Sequence, residues 1–496
     1  MENITSGVSA IILCTIIYCF SWRKFNSKQY TFSIFLLLLA GLILRIYISS
    51  DFYLHSWDER FHALVAKNLI NHPLKPTLYD NPILQYDYKC WVGNHIWVHK
   101  QPLSLWTIAL SLWFFGINEI ALRLPSIILT TVGCLLTYQI GRSLFNRKIG
   151  LIASFLFSIH GLILEVTGGR VATDHVDVFF LFFIELSVFF AILFAQKKKF
   201  LYNVICGISI GSAILSKWLP ALIVLPIWLL LVFHSKKFTF KEIVFNLSIL
   251  CFVIIIIALP WQIYIHNTFP LEATWESSFN SKHLTEVIEN RGGPFYYHLD
   301  KMRIVYGELI YIPIIWFTYK TLKHRKNFIR WALLMWITIP YLFFSIAETK
   351  MQGYTLFTAP AIFIITALFW QYLNIYRRRF KYKWVILTIQ ILLIALPVRY
   401  SIERLKPFQK INRTPQWVQN LKQLKRTTDK KVLFNVKTPI EIMFYTDFIA
   451  YEKIPSITTI NNLSKKGYNI YINDNGIIDP RIKKLKNINL IYIIEN

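Results

Sequence analysis

"YTFSIFLLLLAGLILRIYIS", Tyr30–Ser49, runs almost directly into "SWDERFH", Ser56–His62. Twenty residues wound as a helix rise roughly 30 Å, the apolar thickness of a bilayer. In that medium a backbone amide finds no water, so the run must satisfy its own hydrogen bonds as a helix. The cluster that follows, with two acids, an arginine and a histidine, therefore falls at a membrane surface. That reading decides the fold class, because similar apolar runs recur along the chain.

Composition agrees. Of 496 residues 55% are hydrophobic and 16% charged, which excludes an ordinary soluble domain and implies a polytopic helical membrane protein. A formal charge of +27 in a soluble chain would suggest nucleic acid. Here lysines and arginines flanking membrane helices account for it, and no nucleic-acid partner is expected. Cys14, Cys19, Cys134, Cys206 and Cys251 lie in apolar runs and Cys90 stands alone in a polar loop, so no disulfide framework is implied. The run from Gly7 to Trp22 lacks a basic leader and a small-residue cleavage site and reads as a retained helix.

Twelve spans are predicted, near 7–22, 30–49, 124–143, 149–167, 177–195, 201–216, 219–234, 243–265, 304–320, 328–346, 355–373 and 384–400. Alternate loops "RKFNSK", "RSLFNRK", "QKKKF", "KKFTFK", "KTLKHRKNFIR" and "RRRFKYK" together hold 22 Lys and Arg and no acid. That side is expected to be cytoplasmic. The other side receives residues 50–123, the "GGRVATDHVD" turn, the loop 266–303, "AETKMQGY" and the tail. "QPLSLWTIALSLWFFG" is apolar enough for a further span, but counting it would spoil this alternation. It reads instead as a helix lying in the outer interface, as does "ERFHALVAKNLI", whose Phe61, Leu64, Val65 and Leu69 share one face.

The chain divides in sequence into a membrane domain, 1–400, with the outer loops 50–123 and 266–303, and a small α/β domain outside the membrane, 401–496. In the latter "KKVLFNV", "YNIYIND" and "INLIYII" have the composition of short strands.

Several ionisable groups gather on the outer side. Asp58 and Glu59 form an acid pair, and a carboxylate there suits a general base acting on an acceptor hydroxyl; the plainer alternative is an acid pair facing water. Arg170, Asp174 and Asp177 sit at the mouth of a span, with the two aspartates on one helix face. Acids embedded in membranes are expensive and mark sites or pathways; the alternative is a helix cap with an Arg–Asp pair. Lys100 in "HKQP", Lys217 in "AILSKWLP" and Lys350 in "ETKMQGY" add cations. Singly each lysine reads as a snorkelling anchor. Together they suit a substrate with a phosphate at the membrane surface and a reacting carbon beside it.

In this order the motifs resemble the GT-C glycosyltransferases that use polyprenyl-phosphate sugars, most of all the lipid A aminoarabinose transferase and protein O-mannosyltransferase group. The resemblance covers roughly 30–375 and rests on "WDERFHALVAKNL", "HKQPLSLW", "NEIALRLPS", "GRVATDHVDVFFLFF", "ILSKWLPAL", "ALPWQIYI" and "ETKMQGYTLFTAPA". It implies a GT-C fold of about twelve transmembrane helices with juxtamembrane helices and the small C-terminal domain. Asp58 matches the family's first-loop catalytic acid, with Glu59 beside it, and Asp177 or Asp174 its second acid. Lys100 matches the lysine of a "KPP" motif, Lys350 and Tyr354 a "K-x-P-x-Y" motif, and Lys217 the lysine of a "TKG-P" turn. With Arg60 and Arg170 these are the residues expected to bind donor phosphate and substrate. Gln101 and Gln352 depart from the pattern, each standing where the family has proline. His99 replaces a glutamate that helps hold a metal in a relative, so His99 and His283 are the candidate ligands of a divalent metal.

The expected activity is inverting transfer of a sugar from undecaprenyl phosphate to lipid A, protein or another glycan, at the outer face of a bacterial inner membrane. The alternative is a transporter or flippase, whose signature would be inverted repeats and helices broken at mid-membrane. No internal symmetry is visible, and the acids lie at span ends rather than centres.

Overall fold

The structure is a computed structural model and describes residues 3–424, 430–476 and 478–493. Among the described residues nine helices are long and apolar enough to cross a membrane: Asn3–Asn26, Tyr30–Ile48, Glu119–Leu144, Asp174–Lys197, Phe200–Lys217, Phe240–Thr268, Phe328–Ile346, Gln352–Tyr376 and Lys383–Leu405. Two further helices, Arg147–Ile159 and Gly161–Thr167, meet at 54° and make a tenth span if the bent pair counts as one crossing. The chain is a multi-pass membrane protein. Two of the twelve expected spans take another form. Residues 219–235 make a shorter apolar helix opened by a 3-10 turn. The stretch 304–320 is divided at Gly307 (φ 96°) between the helices Tyr297–Tyr306 and Tyr311–Lys323. Glycine permits that conformation at little steric cost.

The residues fall into two compact units, one comprising 1–49, 100–104 and 126–410, the other 50–99, 105–125 and 411–496. In the first, large apolar side chains fill the bundle, among them Phe157, Phe180, Ile184, Trp228, Trp336 and Phe363. The helix Phe240–Thr268 instead exposes Phe245, Phe252, Ile255 and Ile256, the surface that hydrocarbon solvates. Close helix approach depends on small residues. A Cβ on Gly150 would collide with the backbone of Tyr138.

The second unit is built on four parallel strands, β1 (Lys431–Phe434), β2 (Ile449–Tyr451), β3 (Asn469–Asn473) and β4 (Ile488–Ile491), in the order β2-β1-β3-β4. Val432 pairs with Ile449 and Ile470, and Ile470 with Ile488. Three of the strands fall in the expected stretches; Ile494, which ends the last stretch, lies outside the described residues. β2 was not anticipated, for three residues are too few to show alternation. The sheet's central strand β1 is buried on both faces, as strands of parallel sheets are. Val432, Phe434, Ile470 and Ile472 pack with Ile460 and Leu463, while Leu433 faces a core with Leu64, Val65, Trp97 and Phe444. The helix Asp58–Leu69 thus buries Phe61, Leu64, Val65 and Leu69 against protein.

Candidate functional site

Within the second unit, Asp58 opens its helix and keeps part of its surface exposed, while Glu59 turns inward and is fully buried. Both Glu59 oxygens are taken. Arg123 donates Nε to Oε1 at 2.6 Å and Nη2 to Oε2 at 2.9 Å. The backbone amide of His55 adds a 2.8 Å bond, and its ring Nδ1 lies 2.7 Å from Oε2. The other ring nitrogen lies 3.1 Å from Asp51, which also binds Arg413 at 3.0 Å. Burial alone would push the His55 pKa down, but the Glu59 and Asp51 carboxylates raise it above its ordinary 6.5. Glu59 thus belongs to a closed ion network holding the first outer loop, whereas Asp58 remains partly exposed. Arg60 pairs with Glu441 at 3.2 Å. His99 is stacked on Trp91 with centroids 4.5 Å apart.

The first unit carries the other candidates. Asp177 lies in the first turn of its helix, 3% exposed. One carboxylate oxygen accepts from Lys217 Nζ and the other from the Thr173 hydroxyl. Two unusual backbone positions bracket this pair. Thr173 precedes the helix at φ 66°, and Trp218 follows Lys217 at φ 107°. Positive φ is rare for a β-branched or bulky residue, and such strain clusters at functional sites. Asp174 is the first helical residue, bonded to the amide of His175. Thr173 occupies the cap position, so Asp174 is not the helix cap that the plainer alternative would make it.

Tyr354 lies beneath Lys217, its ring centroid 5.1 Å from Nζ. The loop before it fits tightly. A Cβ on Gly353 would sit 2.7 Å from Asp177 Oδ2, so only glycine lets the backbone approach. Gln352 accepts from Arg404 at 3.1 Å, and Arg404 is also paired with Glu165. Lys350 is buried, donating to the carbonyls of Ser345 and Ala347. Its amide joins Arg291 O at 2.7 Å and that of Thr349 joins His283 O at 3.0 Å, a seam fastening "ETKM" to the large outer loop. Arg170 is half-buried beside Gly168 and Gly169 in the turn before Asp174.

Glu276, on the helix Pro270–Thr285, was not anticipated. Burial pushes its pKa up to about 8, against the opposing pull of Lys100 and His283. Its seven-residue spacing from His283 places both on one helix face, the signal that could have drawn attention to it. His283 donates Nδ1–H to Phe279 O, 3.0 Å away, and burial with the Lys100 charge lowers its pKa. Among the described residues no three His, Cys, Asp or Glu side chains are grouped to hold a metal ion. With His99 stacked on indole, the residues present do not compose the metal site the resemblance implies, and no step is routed through one.

A family model for dolichyl-phosphate-mannose-protein mannosyltransferase matches residues 99–264, the stretch with Lys100, Arg170, Asp174, Asp177 and Lys217. An undecaprenyl phosphate-alpha-4-amino-4-deoxy-L-arabinose arabinosyl transferase of Pseudomonas fluorescens is 26% identical over 286 residues, 54% of this chain and 49% of that protein. The chain thus spans about half the length of that relative. ArnT from Cupriavidus metallidurans bound to undecaprenyl phosphate superposes with a TM-score of 0.61 at 14% identity, over 89% of this chain and 90% of that one. Archaeal oligosaccharyltransferase AglB from Archaeoglobus fulgidus, in complex with an inhibitory peptide and a dolichol-phosphate, gives 0.54 at 17%, over 85% and 64%. This chain has the GT-C fold. In sequence it resembles proteins of the aminoarabinose transferase and mannosyltransferase type. The GT-C resemblance locates acids and lysines in sequence, but not the groups that hold them: Thr173, Gly353, Arg123 and the Glu165–Arg404–Gln352 chain.

Proposed function

We propose that this GT-C protein transfers a sugar from a polyprenyl phosphate, undecaprenyl phosphate in bacteria, to an acceptor on the outer face of the inner membrane. The observation that carries the reading is the buried Asp177–Lys217 pair between two strained residues, with Gly353 closed against it. A buried carboxylate bonded to an ammonium at the end of a membrane helix is costly to maintain. A lipid-linked phosphate is a ligand that needs such a cation, and Lys217 at the membrane surface is suited to neutralise it. The names of the matched relatives support that donor class.

In this reading the acceptor oxygen attacks the anomeric carbon as the carbon–oxygen bond to the lipid phosphate breaks. The acceptor proton passes to Asp58, and the lipid phosphate leaves with its new charge held by cations. Attack opposite the leaving group inverts the anomeric centre. Asp58 rather than Glu59 is the base, because Glu59 is committed to Arg123 and His55. The acceptor is lipid A, protein or another envelope glycan.

The test is purified full-length chain in vesicles with an undecaprenyl-phosphate sugar and a bacterial envelope extract. Release of undecaprenyl phosphate together with a product of opposite anomeric configuration is expected. Retained configuration would remove the direct displacement. Lipid movement between leaflets with no bond cleavage would favour a flippase instead.

A further inference from the structure

Two acid–arginine pairs sit on the helix Asp58–Leu69, and they are built differently. Glu59 and Arg123 are both fully buried and joined through two short bonds. Arg60 and Glu441 are joined through one, Nη1 to Oε1 at 3.2 Å. Glu441 comes from the helix Pro439–Tyr445 of the C-terminal segment, and its side chain is 4% exposed against 27% for Arg60. Its second oxygen, Oε2, and Arg60 Nε are buried without a hydrogen-bond partner among the described residues. The guanidinium also lies over the Phe61 ring at 4.9 Å.

A bridge serving stability alone gains by satisfying every buried donor and acceptor, since a half-satisfied buried pair is worse than an apolar contact. The Glu59 pair meets that rule and the Glu441 pair does not. What Glu441 does secure is direction. With one edge of the guanidinium fixed and its face over Phe61, the exposed remainder of Arg60 is held two residues from Asp58. A planar guanidinium so held is pre-organised for phosphate oxygens.

We propose that Glu441 is a positioning residue for Arg60, and that Arg60 binds a phosphate oxygen beside Asp58. The C-terminal α/β segment thereby contributes to substrate binding through a residue that no resemblance assigns. This rests on the glycosyl-transfer reading above. The phosphate has two sources of the same chemistry, the departing lipid phosphate or a phosphate on the acceptor.

The experiment uses full-length chain in nanodiscs with two probes, undecaprenyl phosphate and bisphosphorylated lipid A. Glu441→Gln should weaken binding of one probe and raise the corresponding KM about tenfold, the worth of one charged hydrogen bond, while kcat changes less. Glu441→Asp should recover part of the loss, and Arg60→Ala with Glu441→Gln should be no weaker than Arg60→Ala alone. The probe that weakens identifies the source of the phosphate. Unchanged binding and KM in Glu441→Gln, with only a lower melting temperature, would make the pair structural and overturn the inference alone. Wild-type chain that binds neither probe would overturn the glycosyl-transfer reading and this inference with it.

Discussion

Lys217 closes on the carboxylate of Asp177 across two neighbouring helices, while Thr173 holds the other oxygen from the turn before. Two groups, one on each oxygen, thus fix one acid. Asp177→Asn and Lys217→Gln should each lower transfer roughly 10²–10⁴-fold, the range for losing a positioned ionisable group. Because the pair acts together, the double variant should be little worse than the poorer single one. Gly353→Ala should lower rate in the same direction, since its methyl would occupy the space of Asp177 Oδ2. Steady-state kinetics on all four variants checks this, and independent, multiplicative losses would dissolve the unit.

Adjacent acids should separate cleanly into two roles. Glu59→Gln breaks a buried pair and should cost about 3–5 kcal/mol of stability, read as a lower melting temperature in detergent. Asp58→Asn should melt normally and lose rate roughly 10²–10⁴-fold. The network also carries a pH dependence. The His55 pKa is raised in the folded chain, so its contribution is complete below the ordinary 6.5 and is lost as pH rises through the folded value. Normal melting of Glu59→Gln would refute the structural assignment.

Much of this architecture is legible in the sequence because a bilayer imposes a strong rule: about twenty apolar residues per crossing. The run at 30–49 and the helix at 30–48 agree within a residue. The rule weakens where a span is interrupted. Hydropathy alone does not mark His160 as the bend in 147–167, and Gly307, followed by Glu308, divides a stretch expected as one span. Candidate acids and lysines were legible by type and position. Their partners were not: Thr173 with Asp177 is a local contact, but Glu59 with Arg123 and Arg60 with Glu441 join residues 64 and 381 positions apart. Periodicity carries no information at that range.

Topology follows from charge. Reporters fused after Lys198 and Arg378 should read cytoplasmic, and one fused after Thr414 should read outside, because the acid-free basic loops hold 22 Lys and Arg on one side. The broken span at 147–167 must count as one crossing for this to hold. A cytoplasmic signal after Thr414 would reverse the side assigned to Asp58.

Glu276 gives the clearest prediction of pH dependence. Its carboxyl titrates near 8 in the folded chain against an ordinary 4.5, chiefly through burial, with Lys100 and His283 pulling the other way. Between those values the unfolded chain has released a proton that the folded chain still holds. Stability therefore falls as pH rises across that window, because the native state binds more protons. Glu276→Gln, which keeps the size and stays neutral, should flatten this part of the melting-temperature profile between pH 5 and 9 and stabilise the protein most at the alkaline end. Some decline should persist in the variant, since His55 loses its contribution in the same direction. A double variant Glu276→Gln with His55→Gln should lose both slopes. If Glu276→Gln instead melts lower than wild type at pH 9, the carboxylate is ionised and stabilised there, and the charge of Lys100 outweighs burial.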